Sequence, residues 1–530
     1  MYNNIGFLPL DSRPCCCDFT QKIARIAGYD LNCPPLEWFK DFSVAADQAK
    51  MSKWLLNAAE KAEYLIVSTD MLIYGGIATA CRHHIEVEEA LQTLDVLRQI
   101  RKRHPNIKLY VSGLVQGSSD TAFTPEELVH RSHNMSYSQL SHKITVYDRQ
   151  EDKEKLDELM KIIDQEALDS YLKVRERCHK VCLALVDMAA DGTVDYISFG
   201  VIDTSVYGLH RLRKADLLTA IYHKMVMHKA NLYCAADEQG QILVTRAMLD
   251  HQQITPRFFP RYSSRGAETF VAMYDDLPLG DTLRHQVYAA GCLVVDTPNE
   301  ADAVFMINSP LESFEVYNDF FIGNKNIFML PEPGHNLWDF VSAIKYYLKT
   351  GKRVSVTDVA FANGSDVGLV RFMEKEIEIT DLTAYSGWNT ASNSLGTAVA
   401  HTAARIIYEQ SANKQHESEI AHFEFLLERF ADEYFYQVVV RPQTMALVES
   451  LGESFLNFSD KILPEVNALT REKLTELVGV FFEKYFKGRS LKDPFADRTI
   501  ESLKFSTWHP WTRTFEVWVD AKFGCSIQPF

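Results

Sequence analysis

No stretch of the sequence approaches the roughly twenty continuous apolar residues that cross a bilayer, and the opening MYNNIGFLPLD lacks a basic and apolar leader. These absences set the expectation of a cytoplasmic chain with no membrane partner. Positive charge is scarce too: 55 Lys and Arg stand against 71 Asp and Glu, a formal net charge of -16. Nucleic acids and anionic membranes reward a basic face through counterion release, so neither is expected as the main partner. The densest basic stretch, RQIRKRHPNIK at 98–108, reads as a solvated helix end before a strand.

Regular cysteine spacing is missing as well. Ten cysteines in 530 residues without a framework fit a reducing compartment. Cys15, Cys16 and Cys17 are adjacent, so their side chains diverge, and they read as small packing residues at a helix start rather than metal ligands. Cys178, His179 and Cys182 have helical spacing but no second ligand pair follows them. Also absent are a Walker lysine loop, a complete glycine-rich dinucleotide fingerprint, a GxSxG elbow, an HExxH pair, internal repeats and low-complexity segments. No cofactor is expected.

What is present is an ordinary globular composition, 46% hydrophobic and 24% charged, in a chain long enough for two or three domains. Up to about residue 255 short apolar runs alternate with helical stretches. Strands are expected at Ile5–Leu10, near Asp30–Cys33, and at Tyr64–Thr69, Lys108–Gly113, Tyr196–Ile202 and Asn231–Ala236. Long crossovers between them imply a parallel β/α domain over 1–255, a complete or incomplete barrel by first choice and an open sheet by second. The Pro- and Ser-rich TPRFFPRYSS reads as a break. A smaller doubly wound α/β domain is expected over 256–394, with strands at Phe270–Tyr274, Cys292–Val295, Ala303–Ile307, Ile327–Leu330 and Val354–Val356. A mostly helical region over 395–530 ends in an aromatic tail, whose Trp508, Trp511 and Trp518 are expected to anchor the C-terminus on the core.

Acids close many of these apolar runs. Asp11, Asp70, Asp203, Asp237 with Glu238, and Asp358 all fall at expected strand ends. Carboxyl ends of parallel strands share one rim, where ligands gather, so a single acidic pocket is expected. Asp11 and Arg13 offer an acceptor and a forked donor, and the same pair can instead form an internal ion pair. Asp70 with Tyr74-Gly75-Gly76 is echoed by Asp203 with Tyr207-Gly208, and glycines there permit close backbone approach. Asp358 and Asn363 sit in DVAFANGSD, where a tight turn is the plain alternative, and Trp388 and Asn389 in YSGWNT combine an aromatic platform with amide groups. Adjacent Asp237 and Glu238 at a strand end can hold one carboxyl protonated beside an ionised partner, which suits glycosidic cleavage.

The phrases LPLDSRP, DMLIYGG, DTSVYG, ADEQG, DVAFANGSD, YSGWNTASNSLG and WHPWTRTFEV, in this order over almost the whole chain, resemble the bacterial domain of unknown function 4127 family. The resemblance implies a cytoplasmic bacterial protein and supplies no reaction. From the residues, the expectation is an exo-acting glycoside hydrolase on a small carbohydrate or N-acetylhexosamine-containing oligosaccharide. Glu238 is then the general acid, Asp237 orients the substrate, and Asp11, Arg13, Asp70, Tyr74, Asp203, Tyr207, Asp358, Asn363, Trp388 and Asn389 bind it. The reading leaves room for a homo-oligomer. Two alternatives remain open: a divalent-metal hydrolase or lyase using Asp70, Asp203, Asp237 and Asp358 as oxygen ligands, and a sugar- or metabolite-binding protein without turnover.

Overall fold

The computed structural model describes residues 1–39, 44–82, 85–117, 124–202, 204–309, 336–411, 416–491 and 496–529. All six strands expected in the first region form, as β1 (Tyr2–Leu8), β2 (Tyr29–Asn32), β3 (Tyr64–Ser68), β4 (Lys108–Val115), β5 (Tyr196–Val201) and β6 (Ala230–Cys234). They are parallel and run β2-β1-β3-β4-β5-β6 across the sheet. β3, β5 and β6 are buried along their full length, as expected of strands covered on both faces. Side chains alternate between two cores. Ile5, Phe7, Ile66 and Tyr110 pack with the helices Asp18–Ile26 and Gln239–Gln252, while Leu65, Val67, Leu109 and Val111 pack with the helix Gln165–Ala190.

Among the described residues no pairing joins β2 to β6, so the sheet is open and the barrel expected first is not found. The winding explains the difference. The chain steps from β1 outward to β2, then crosses back over β1 to β3 and continues to β6. One reversal of direction places helices on both faces, whereas a barrel needs winding in one direction with helices outside only.

A second parallel sheet follows, in the order β11-β10-β9-β7-β8. It contains β7 (Arg257–Tyr262), β8 (Leu293–Val294), β9 (Ala303–Asn308), β10 (Arg353–Asp358) and β11 (Ala384–Ser386). The proline-rich RFFPRY, expected as a break, is β7, and Phe270–Tyr274, expected as a strand, makes only one isolated bridge at Val271. Pro260 is tolerated because β8 pairs with Arg257 and Phe258 alone, so Pro260 lies beyond the end of that neighbour. The expected strand at Ile327–Leu330 lies outside the described residues.

The helix Ala391–Gln410 packs into the core shared by both sheets, beside Phe7 and Ile66 of the first and Phe258 and Phe305 of the second. Residue 395, where a boundary is expected, therefore falls inside a helix. The outer face of the second sheet is covered by the helices Leu337–Lys349 and Val367–Glu376, the π-helix Ala431–Val440, and the helix Leu463–Tyr485. The tail is a long hairpin of β13 (Ala496–Trp508) and β14 (Trp518–Pro529), with β12 (Ser490–Leu491) alongside. Trp508 and Trp518 pair across it with rings stacked at 5.2 Å. Its tip returns to the first sheet, where the Trp511 indole N–H donates to Ser12 Oγ at 3.1 Å.

Candidate functional site

A cleft of about 270 Å3 lies above the carboxyl ends of β5 and β6 and the turn after β1. Arg13 enters it from that turn, Val201 and Ile202 from the end of β5, and Ala235, Ala236 and Asp237 from the end of β6. Asn363, Asn389, Thr390, Ser392 and Asn393 line the side contributed by the second sheet's loops. Phe455, Leu456 and Phe515 form an apolar wall.

Arg13 organises the floor. Its Nε donates to Asp11 Oδ2 at 3.0 Å, its NH2 donates to the same oxygen at 2.7 Å, and the guanidinium then spans to Asp237 at 3.1 and 2.5 Å. This is the internal ion pair weighed for Asp11 and Arg13, extended to a second carboxylate. Burial opposes the charge on Arg13, but Asp11 and Asp237 outweigh it and hold the guanidinium protonated. Asp237 is 4% exposed. Burial pushes its carboxyl above the usual range although Arg13 pulls the other way. The Asn389 amide also donates to Asp237, at 3.3 Å.

Glu238 lies beneath this floor and does not line the cleft. It is fully buried and accepts from Gln286 Nε2 and Asn393 Nδ2, each at 2.5 Å, and from the Ala236 N–H at 3.1 Å. Burial pushes it up to about 7. Asn393 in turn accepts from Asn389 at 2.7 Å, so a chain of amides links Glu238 to the cleft.

The remaining expected binding residues divide. Asn363 lines the cleft. Trp388 lines a small recess adjoining it, its indole N–H held by Thr397 Oγ1 at 3.2 Å and its ring meeting the edge of Phe19. Asp70 instead turns inward and accepts from the Leu114 N–H at 3.0 Å, closing the ends of β3 and β4; burial pushes it up to about 7. Tyr74 is buried under the Arg177 guanidinium in the core. Gly75 and Gly76, both at positive φ, bring the backbone close to Ala46 and to the Asp11 turn rather than to a ligand. Tyr207 packs on the helix Pro125–Tyr147, beside His142 and Lys143. Asp358 is fully buried, accepting from Asn308 at 2.9 Å and the Asp366 N–H at 2.6 Å. Asp203 lies outside the described residues.

The expected acidic pocket is thus not what forms. Asp237 is the one carboxylate that lines the cleft among the described residues, against four arginines: Arg13, Arg131, Arg441 and Arg513. Asp11 is satisfied by Arg13, and Asp70, Glu238 and Asp358 by buried backbone and amide donors, because an ionised carboxyl at a covered strand end must be paired or neutralised. Arg131 and Arg441 carried no signal in the sequence, since neither lies in a motif. Arg513 lies in the WHPWTRTFEV phrase, but its position at a hairpin tip was not legible there.

Backbone strain concentrates at the same place. Six non-glycine residues have positive φ among the described residues, and three of them, Tyr274, Asn363 and Asn389, line the cleft. Asparagine tolerates this conformation, but for tyrosine it is costly and must be imposed by surroundings. Thr204 does so at Tyr274, donating to its carbonyl from N–H and Oγ1 at 3.0 and 2.7 Å.

Among the described residues, Asp70, Asp237 and Asp358 do not come together as a metal centre. The one cluster of three candidate ligands among the described residues is Cys15, Cys16 and Asp237. Burial pushes both thiols up, away from the thiolate that binds metals. Cys178 and Cys182 are core residues, and His179 pairs with Asp216 at 2.7 Å. The basic stretch near Arg101 is structural: that side chain donates to the carbonyls of Pro105, Ile107 and Thr193. No helix among the described residues is long and apolar enough to cross a membrane.

The sequence matches none of the curated proteins. A family model described as "Protein of unknown function (DUF4127)" matches residues 5–520, which takes in both sheets, the cleft and the hairpin tip, and the chain belongs to that family.

Proposed function

We propose that the cleft is the active site of a glycoside hydrolase acting on a small sugar with a 2-acetamido group, and that Asp237 is the carboxyl group that meets the substrate. The observation that carries the route is that one carboxylate alone lines the cleft among the described residues. A pair of opposed carboxylates is the usual equipment, and substrate-assisted enzymes are the exception in which the acetamido oxygen is the nucleophile. In that route Asp237 gives its proton to the glycosidic oxygen as the C1–O bond breaks and the acetamido oxygen bonds to C1. Water then adds at C1, opening the ring intermediate and returning a proton to Asp237. Burial pushes the Asp237 carboxyl towards the proton-bearing form that this step needs, against the pull of Arg13. Glu238 is a positioning residue in this reading, acting through Asn393 and Asn389.

A second reading, a binding protein without turnover, is favoured by the two-pronged grip of Arg13 on Asp237, which stabilises an ionised carboxylate suited to accepting hydroxyl hydrogens. The two are separated by turnover of chromogenic α- and β-glycosides, N-acetylhexosaminides included, by the natural chain and Asp237→Asn, with and without chelator. Chelator-insensitive cleavage lost in the variant supports the hydrolase. Silence across the panel with retained sugar binding transfers the cleft to the second reading.

A further inference from the structure

The cleft arginines are not equally neutralised. Asp11 and Asp237 engage Arg13, and Glu516 engages Arg513 with both oxygens while reaching Arg13 at 3.7 Å. Arg131 and Arg441 have no carboxylate within ion-pair distance among the described residues, although both line the cleft. Arg441 donates from NH1 to Gln437 Oε1 at 3.0 Å and lies over the Phe515 ring, but its Nε is buried with no acceptor. A guanidinium has five N–H donors, so this leaves strong donor capacity unspent in a place shielded from water. Burial pushes the Arg441 pKa down, with the Arg513 charge adding to the effect and Asp432 and Glu516 opposing it.

The two side chains come from distant parts of the sequence. Arg131 projects from the helix Pro125–Tyr147, and Arg441 begins the helix Arg441–Ser450 directly after the π-helix. That π-helix lines up residues about five apart, and Gln437 donates to Asp432 at 3.3 Å while accepting from Arg441. Wide helical turns of this kind recur at functional sites. The resulting polar ladder fixes the Arg441 fork at the edge of the cleft.

We propose that Arg131 and Arg441 form an anion subsite, so that the sugar bound in this cleft carries a carboxylate or phosphate group as well as hydroxyls. The inference rests on the cleft being a sugar site and extends that reading to the substrate class. Asp237, Asn389 and Asn363 face the hydroxyl side, Phe455 and Phe515 the apolar face, and the two guanidinium groups the anionic substituent. Both oxyanions match the arginine fork, and an anion there supplies the direct ion-pair partner that no carboxylate among the described residues does.

Isothermal titration of the full chain with D-glucuronate, D-glucose 6-phosphate, D-glucose and N-acetyl-D-glucosamine tests this. At least one acidic sugar is expected to bind about tenfold or more tighter than D-glucose, the gain of one charge-assisted hydrogen bond, and the preference between the first two assigns carboxylate or phosphate. Arg131→Gln and Arg441→Gln are each expected to remove about tenfold of that affinity and to weaken D-glucose binding much less. Arg131 is half-exposed, so its variant keeps the test open if Arg441→Gln fails to fold. Acidic sugars that bind no tighter than D-glucose overturn the subsite, as does unchanged acidic-sugar affinity in a folded Arg131→Gln chain. A chain that prefers acidic sugars but cleaves no glycoside keeps the subsite and loses the hydrolase reading; one that cleaves neutral glycosides without that preference does the reverse.

Discussion

At the rim of the first sheet, Asp237 faces a cleft and is held by Arg13 and Asn389; at the rim of the second, Asp358 is fully buried among Asn308, Asp366 and Tyr385. The two sheets wind alike. Written by their own strand numbers, both begin second-first-third-fourth-fifth, and the first adds a sixth strand at its far edge. Topology alone therefore does not decide which acid meets solvent. The covering elements decide it: the π-helix and the loop after β11 close over Asp358, where Glu433 accepts from the Gly387 N–H, while the cleft beside Asp237 stays open between Arg13 and the hairpin tip. An acid at a parallel strand end marks a rim, and only its counter-charges and covering show whether the rim is used.

The sharpest way to break this contrast is to neutralise each acid. Asp237→Asn is expected to cut glycoside turnover by about 100- to 10,000-fold, the range for loss of a positioned proton donor. Asp358→Asn is expected to leave turnover intact and to lower stability by about 1–3 kcal/mol, because an amide cannot accept at both of the sites that Asp358 fills. Steady-state assays beside thermal melts check both. Lost turnover in a folded Asp358→Asn chain would end the distinction between the rims.

Packing behind Asp237 offers the next test. A Cβ added at Gly396 would press on the Glu238 side chain and lie 2.8 Å from Gln286 Oε1. Gly396→Ala is expected to cost about 1–3 kcal/mol through overpacking and to lower turnover by displacing Asn393. Glu238→Gln retains the volume but must reorganise the donors from Gln286 and Asn393. If Glu238 is a positioning residue, its variant keeps measurable turnover and shifts the pH profile, whereas Asp237→Asn does not.

The first sheet was legible almost strand for strand, because β3, β5 and β6 are short, mostly apolar runs separated by long helical stretches. β7 was not, since Pro260 and its polar neighbours look like a break until the short β8 explains why the missing N–H is harmless. At the site, Asp237, Arg13, Asn363 and Asn389 were legible from turn chemistry at strand ends. Asp70, Tyr74 and Asp358 share that chemistry and yet face inward, a choice made by tertiary donors such as the Leu114 and Asp366 N–H groups. Arg131 and Arg441 were illegible because single arginines on helices are ordinary surface residues until distant segments fold them around one space.

Acidity gives a test that spans both rims. Burial raises Asp70, Glu238 and Asp358 to about 7 and Glu433 to about 8, from ordinary values near 4. The folded chain thus holds more protons than the unfolded chain between these limits. Stability from these groups is fully present below about pH 4 and is lost as pH rises through 7 to 8. Melting temperature is expected to be higher at pH 5.5 than at pH 8, and the deficit of Asp358→Asn against the natural chain to be smaller at pH 8. A deficit that grows with pH would mean that Asp358 is ionised and well paired at neutrality.

The smallest expected effect concerns the hairpin whose tip meets the first rim at Ser12 and Arg13. Trp511 is 4% exposed, donates to Ser12 Oγ and lies over the Arg13 guanidinium, whose centre is 5.3 Å from its ring. Trp511→Phe removes the hydrogen bond and keeps most of the apolar contact, at a cost of about 0.5–1.5 kcal/mol. Because the same tip carries Arg513 and Phe515 to the cleft and Glu516 to within 3.7 Å of Arg13, the loss is expected to appear as a severalfold weaker affinity for acidic sugars with little change in melting temperature. A fall in melting temperature without any change in affinity would make the tip an anchor alone, and the openness of the first rim would then owe nothing to it.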